Sequence, residues 1–345
     1  MTFKVPHIAT TQDELLAAKL QHKIDFKTKP LGALGQLENL ALQLGLIQRS
    51  ETLTFDAPQM VVFAADHGVA AEGVSAFPQA VTVQMVANML AGGAAINVLA
   101  RQHSFALHVV DAGVASDLAA HPQLIKRKTA YGTHNLATSA AMTAAQRDAA
   151  LQAGAEVLTS LPGNVVAFGE MGIANTSPAA LLLHRLAGVS LQDATGRGTG
   201  LTDPQLLHKQ AVLSKAAALH LAATTPLDAL AAMGGFEIAM MSGAMLQAAS
   251  ERRVILVDGF IAGSAALVAC ALAPAAQDYM VFCHRSAERG HHLLLAHLNA
   301  TPLLDVGMRL GEGTGALLAW PLVQSAALLM NEMASFESAQ VSGKA

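Results

Sequence analysis

Five short apolar runs, separated by long alanine- and leucine-rich stretches, dominate the pattern along the chain. Met60-Val-Val-Phe-Ala-Ala runs into Asp66-His67-Gly68, and Phe105-Ala-Leu-His-Val-Val runs into Asp111. Asn164-Val-Val-Ala-Phe-Gly169 ends at Glu170, Val254-Ile-Leu-Val at Asp258, and Asp278-Tyr-Met-Val-Phe-Cys at His284. A continuous rather than alternating apolar run predicts a strand covered on both faces, as in a parallel sheet. The stretches between repeat apolar residues at helical spacing. Val81 to Leu90 reads as a helix, Gly92-Gly93 as an interruption, and Ala94 to Arg101 as a second helix. Residues 11–50 read as two helices joined by a turn at Lys29-Pro-Leu-Gly-Ala-Leu-Gly35. Thr11-Gln-Asp-Glu14 is a cap for the first helix, and Lys29 reads as a solvated surface lysine. Residues 112–160 have room for irregular structure as well as a helix.

Strands alternating with helices predict an α/β fold with a mostly parallel sheet. In such sheets ligands bind beyond the carboxyl ends of the strands. Parallel pairing would bring Asp66, Asp111, Glu170, Asp258 and His284 to one edge. Singly, most of these are caps for the helices that follow. Together they make a polar edge with the look of a site.

Composition narrows the class. Of 345 residues 52% are hydrophobic and 13% charged, which suits a well-buried, helix-rich enzyme. The net charge of −4 and the lack of a Lys/Arg block argue against nucleic acid as partner. Cys270 and Cys283 lack the spacing of a zinc site or disulfide framework. The most apolar run, Val254 to Ala273, holds Asp258, Gly259, Gly263 and Ser264, so it predicts a buried strand and helix and no membrane partner. The N-terminus has no apolar signal core, and a cytoplasmic protein is the expectation.

Gly311-Glu312-Gly313-Thr314-Gly315 stands ahead of a long apolar helical run. Glu312 reads equally as a cap on that helix or as a working carboxylate. Gly311-x-Gly313-x-x-Ala316 also matches a dinucleotide fingerprint, but no second strand follows it, so a nicotinamide-dependent oxidoreductase ranks low. His284, Glu288, His291 and His292 lack metal-ligand spacing and read as polar loop residues. Gly169-Glu-Met-Gly-Ile-Ala-Asn-Thr-Ser-Pro178 is a strand-to-helix loop in which Thr176 or Ser177 would cap, with Pro178 at the first helical position. Free N–H groups there, and Gly196-Arg-Gly-Thr-Gly200 followed by Lys209, suit a small anionic substrate.

As a set, these motifs resemble the nicotinate-nucleotide:dimethylbenzimidazole phosphoribosyltransferases. The resemblance rests on Lys29 to Glu38, Ala65-Asp-His-Gly-Val69, Val74 to Gln79, Gly92-Gly-Ala-Ala-Ile-Asn97, Asp111-Ala-Gly-Val114, Gly169 to Ser177, Gly196 to Gly200, Gly234-Gly-Phe-Glu237, Val257-Asp-Gly-Phe260 and Leu304 to Gly315, in that order. It implies a homodimer with a Rossmann-like large domain over about 51–314 and a small helical domain from 1–50 plus about 315–345. It implies transfer of phosphoribose from nicotinate mononucleotide to 5,6-dimethylbenzimidazole, with inversion at the anomeric carbon and without cofactor or metal.

The resemblance makes Glu312 the general base that takes the ring N–H proton of the benzimidazole. Glu170 and Met171 match positions near the base and the ribosyl group. The loop from Gly172 through Asn175 and Thr176 matches the phosphoribosyl side. Lys209 and Arg309 match cations near the phosphate, and Asp258 an acidic strand end near the ribose. Ser286 and Leu310 match the lining of the base pocket, which Phe77, Gln84 and Met85 complete. Ala33 and Phe77 depart from the family's usual Ser and Tyr. Against the transferase stand the oxidoreductase and a non-catalytic nucleotide-binding paralogue, which would have no use for a poised base.

Overall fold

The computed structural model describes residues 2–342. Six strands form one fully parallel sheet: β1 Gln59–Ala65, β2 Ala106–Gly113, β3 Leu124–Lys126, β4 Val165–Met171, β5 Val254–Val257 and β6 Met280–Phe282. Their order is β3-β2-β1-β4-β5-β6. This is the doubly wound order in which the chain reverses direction across the sheet between β1 and β4, where a crevice opens at the strand ends. All seven residues of β1 are buried, as the continuous apolar run requires. The sequence expectation of a parallel α/β fold holds. It missed only β3, a three-residue edge strand too short to leave an apolar run.

Helices cover both faces. Phe236–Ser250 packs along Ala144–Thr159 and against Phe260–Leu272, which in turn meets Thr176–Ala187. Glu14–Asp25 packs on Gln36–Gln48, which packs on the C-terminal helix Thr314–Glu332, and Lys27 and Ser335 form an isolated antiparallel bridge. Trp320 of that last helix is buried. Phe55 and Phe105 approach its ring edge-on at 4.8 and 5.1 Å, which fixes the C-terminal helix against the base of the sheet.

Local chemistry corrects three readings near helix starts. Asp13, not Thr11, caps the first helix by accepting from Leu16 N at 3.0 Å, and the Thr11 hydroxyl donates to Asp278. Lys29 is not solvated. It is buried and pairs at 2.9 Å with Glu38, whose carboxylate also accepts from Leu34 N. The helix after β4 starts at Thr176 with Asn175 in the cap position, so Pro178 falls at its third residue rather than its first.

One stretch among the described residues, Val81–Gln102, has the length and mean hydropathy (1.5) of a membrane-crossing helix. It is two helices, Val81–Leu90 and Ala95–Gln102, broken at the predicted glycine pair and partly buried against the sheet.

Candidate active site

A cleft of about 330 Å³ opens beyond the carboxyl ends of β4, β5 and β6. Its floor is organised by the loop Gly311-Glu312-Gly313. All three residues have positive φ, at 87°, 64° and 90°. For Glu312 this left-handed conformation costs on the order of 1 kcal/mol or more, and the surroundings must impose it. They do so by direct backbone contact with β4. A Cβ on Gly169 would lie 2.2 Å from the Glu312 carbonyl oxygen, so the loop rests on the strand only because residue 169 has no side chain.

Asp258, at the end of β5, anchors the other side of the loop. Its Oδ1 accepts from Gly315 N at 2.7 Å and Ala316 N at 3.2 Å, and its Oδ2 from Gly313 N at 3.1 Å. Asp258 is thus the acceptor at the start of the C-terminal helix. That leaves Glu312 free of the capping role the sequence allowed it. The Glu312 carboxylate instead accepts from Ile96 N at 3.2 Å, in the first turn of Ala95–Gln102. It is 5% exposed and lines the cleft. Burial raises its pKa; the Ile96 N–H works against this and Asp258 with it.

Glu170 lies across the floor, buried at the end of β4, where Asn175 Nδ2 donates to it. Burial pushes its pKa up to about 8, offset in part by Asn175 and reinforced by Glu237, Asp258 and Glu312. Glu312 and Glu170, which share the cleft lining with the buried Asp258 and Glu288, thus sit in different hydrogen-bonding surroundings, and at neutral pH Glu170 keeps its proton.

The opposite corner is cationic. Thr176 opens its helix with no side-chain cap, and Lys209 Nζ donates to Thr176 Oγ1 at 2.7 Å and to the Gly196 carbonyl at 3.4 Å. Lys209 is fully buried without a carboxylate paired to it, and burial lowers its pKa to about 8. Arg309 Nη1 donates to the Gly198 carbonyl at 2.8 Å, which ties the Gly196–Gly200 loop to the Gly311 loop. An uncapped helix start, glycine N–H groups and two cations are the chemistry from which anion sites are built.

Of the fourteen predicted site residues, twelve line this cleft: Glu312, Glu170, Met171, Gly172, Asn175, Thr176, Arg309, Leu310, Ser286, Asp258, Phe77 and Met85. Phe77 and Leu310 form an exposed apolar rim. Lys209 stands one layer back, behind Thr176. Gln84 is not brought in. It sits one residue from Met85 on the helix and is exposed to solvent. Asp66 and Asp111 also lie outside. Asp66 accepts from Ala115 N, and Asp111 accepts from Val114 N and pairs with Lys128, so both hold neighbouring backbone rather than face the cleft. Sequence reasoning set Glu288 aside, yet it lines the cleft with Gly259, Phe260 and Thr199. Gly259, Phe260 and Thr199 fall inside the quoted motifs without having been singled out, and no periodicity or spacing marks Glu288. Only the fold turns them inward.

These features define a class: a parallel α/β enzyme that sets buried carboxylates opposite an anion-binding corner, the layout of group transfer from an anionic small molecule. More narrowly, the chain belongs to the phosphoribosyltransferase family whose model matches residues 9–341. It is 58% identical over 340 residues to the nicotinate-nucleotide--dimethylbenzimidazole phosphoribosyltransferase of Variovorax paradoxus, covering 99% of this chain and 97% of that one. It is 57% identical to the enzyme of the same name from Ralstonia nicotianae, covering 96% of each. The crystal structure of CobT from Thermus thermophilus superposes with a TM-score of 0.92 at 41% identity, covering 96% of this chain and all of that one.

Proposed function

We propose that this chain transfers the phosphoribosyl group of nicotinate mononucleotide to 5,6-dimethylbenzimidazole, giving nicotinate and α-ribazole 5′-phosphate, a step in cobalamin lower-ligand synthesis. Close relatives carry the name of this activity over nearly their whole length. The observation that carries the reading within the site is Glu312: a carboxylate held in a left-handed loop, buried, and facing the anion corner across one cleft.

In this reading the 5′-phosphate sits at the Thr176, Gly198 and Lys209 corner, with Arg309 at its edge. The base lies between Phe77, Met85 and Leu310, whose apolar walls suit a flat aromatic ring. As the C1′–nicotinate bond breaks, its electron pair returns to the nicotinate ring. The incoming ring nitrogen bonds C1′ from the opposite face. The benzimidazole N–H proton passes to Glu312, so no cationic product accumulates. Glu170, protonated at neutral pH, adds no second negative charge beside the acceptor base. Positioning and aimed dipoles supply the rest of the acceleration.

Residues 1–50 with about 315–345, which carry the helices Glu14–Asp25 and Gln36–Gln48 and nearly all of the C-terminal helix, we read as the small domain, and about 51–314 as the large one. We read the chain as a cytoplasmic homodimer. Sedimentation at micromolar concentration tests the dimer. Release of nicotinate from nicotinate mononucleotide tests the activity. It should require both the chain and a benzimidazole, and release that is independent of the acceptor would sink the reading.

A further inference from the structure

Glu288 is the cleft carboxylate that the reaction leaves without a task. It precedes the helix His291–His297, is 7% exposed, and turns toward the Gly196–Gly200 loop. A Cβ on Gly196 would lie 2.1 Å from Glu288 Oε2. That oxygen is buried and accepts no hydrogen bond within the protein. The groups acting on the carboxyl group as a whole are those of the anion corner: Lys209, Arg309 and the Gly198 N–H.

An acid in such a place poses a problem. A buried acceptor without a donor forfeits the bonds it made to water. A phosphate dianion entering beside an ionised carboxylate would add like-charge repulsion. Both costs vanish if Oε2 carries a proton when the phosphate is bound, because an O–H donates where a phosphate oxygen accepts. Burial favours this form by raising the Glu288 pKa, while Lys209, Arg309 and the Gly198 N–H oppose it. The nearby charges do not take its place. Arg197 is paired with Asp203 and Arg289 with Asp193. His291 accepts from Ser286 N through Nδ1, and burial keeps it neutral with a pKa of about 3. His284 turns Nε2 toward Asp258 at 3.4 Å.

We propose that Glu288 is a further ligand-binding residue of the phosphate corner and that it binds the phosphomonoester in its protonated form. One proton moves from solvent to Oε2 as the phosphate enters, and the new O–H donates to a phosphate oxygen. The inference rests on the assignment of this corner to the phosphate. The complex then holds one more proton than the separated partners, so affinity falls as pH rises, by up to about tenfold per pH unit above the Glu288 pKa. A Gln at 288 is a permanent donor and removes this dependence.

The test is calorimetric titration of the full chain with ribose 5-phosphate at about pH 7, in two buffers of different ionisation enthalpy. At that pH the phosphomonoester is chiefly a dianion. Wild type should take up close to one proton more than Glu288→Gln. The variant should bind at least as tightly, and up to about tenfold more tightly one pH unit higher. Glu288→Ala cannot donate and should lose both the proton uptake and affinity. Equal uptake in wild type and Glu288→Gln would overturn the proposal, as would alanine binding as tightly as glutamine. So would a glutamine variant weakened toward ribose 5-phosphate but not inorganic phosphate, which would make Glu288 an acceptor for ribose hydroxyls. If neither compound binds any of the three proteins, the phosphate assignment itself falls, and the proposal with it.

Discussion

The contact between Gly169 and the Glu312 backbone makes catalysis depend on a residue that no substrate touches. Gly169→Ala would place a methyl 2.2 Å from the Glu312 carbonyl oxygen, 2.3 Å from its carbon and 2.6 Å from Gly313 N. Ordinary contact begins near 3.4 Å, so the loop must retreat by about 1 Å. The strand cannot yield instead, because Gly169 lies in the sheet paired with Val62 between β1 and β5. Nor can the whole loop move, because Gly313 N and Gly315 N are fixed to Asp258. Glu312 takes the displacement. Misplacing a catalytic group by about 1 Å costs on the order of 100-fold in rate. The overpacking itself costs about 1–3 kcal/mol, which lowers the melting temperature without unfolding the chain. Initial rates of α-ribazole 5′-phosphate formation, measured well below the variant's melting temperature, should show kcat reduced about 100-fold with KM for nicotinate mononucleotide little changed. If the loss acts through Glu312, Gly169→Ala added to Glu312→Gln should slow the enzyme no further. A folded Gly169→Ala enzyme within about twofold of wild type, or a fully additive double variant, would refute the reasoning.

Glu312→Gln alone should lower kcat by about 100- to 10,000-fold, the usual contribution of a general base. Because the base must be ionised, wild-type activity should fall as pH drops through a pKa above the ordinary carboxylate range, and this acid limb should vanish in the variant. Lys209→Met keeps the length of a fully buried side chain but removes its charge. It should raise KM for nicotinate mononucleotide by roughly 10- to 100-fold, as expected for a charge-assisted hydrogen bond worth about 1.5–3 kcal/mol, with a smaller change for the benzimidazole. Glu170 bears on stability. In the folded chain it keeps a proton up to about pH 8, whereas the unfolded chain releases it near 4.5. Stability is therefore highest below the lower value and declines as pH rises through the window between them. Glu170→Gln should flatten that decline by a few kcal/mol at most, read from denaturant unfolding at about pH 5 and about pH 8.5. An unchanged slope would show that Glu170 is ionised in the fold.

The fold was legible in the sequence because burial on both faces leaves a pattern that survives translation into residue types. The strands β1, β2, β4, β5 and β6 are continuous apolar runs, and a run that ends in an acid beside glycine can only be followed by a turn. The edge strand β3 escaped because three residues, one of them Lys126, do not make a run. The site was legible where one local stretch sets geometry and chemistry together, as in Gly311-Glu312-Gly313 and Glu170 to Thr176. It was not legible where distant segments share the work. Nothing around Asp258 says that its oxygens meet the N–H groups of residues 313, 315 and 316, so its role as the helix acceptor, and with it the freedom of Glu312, required the fold. Lys29 misled for the same reason. Its partner Glu38 lies nine residues on, and only the return of the chain buries the pair. Gln84 shows the converse, a residue placed in the pocket by its neighbours in sequence and left outside by helical geometry. Met85 points into the cleft, and a step of one residue turns a side chain by about 100°, which takes Gln84 to solvent. What the sequence withholds is therefore orientation. The same limit hid Glu288, whose neighbours Arg289, His291 and His292 make it look like part of a solvated polar loop, although its carboxylate faces the most cationic corner of the molecule's cleft.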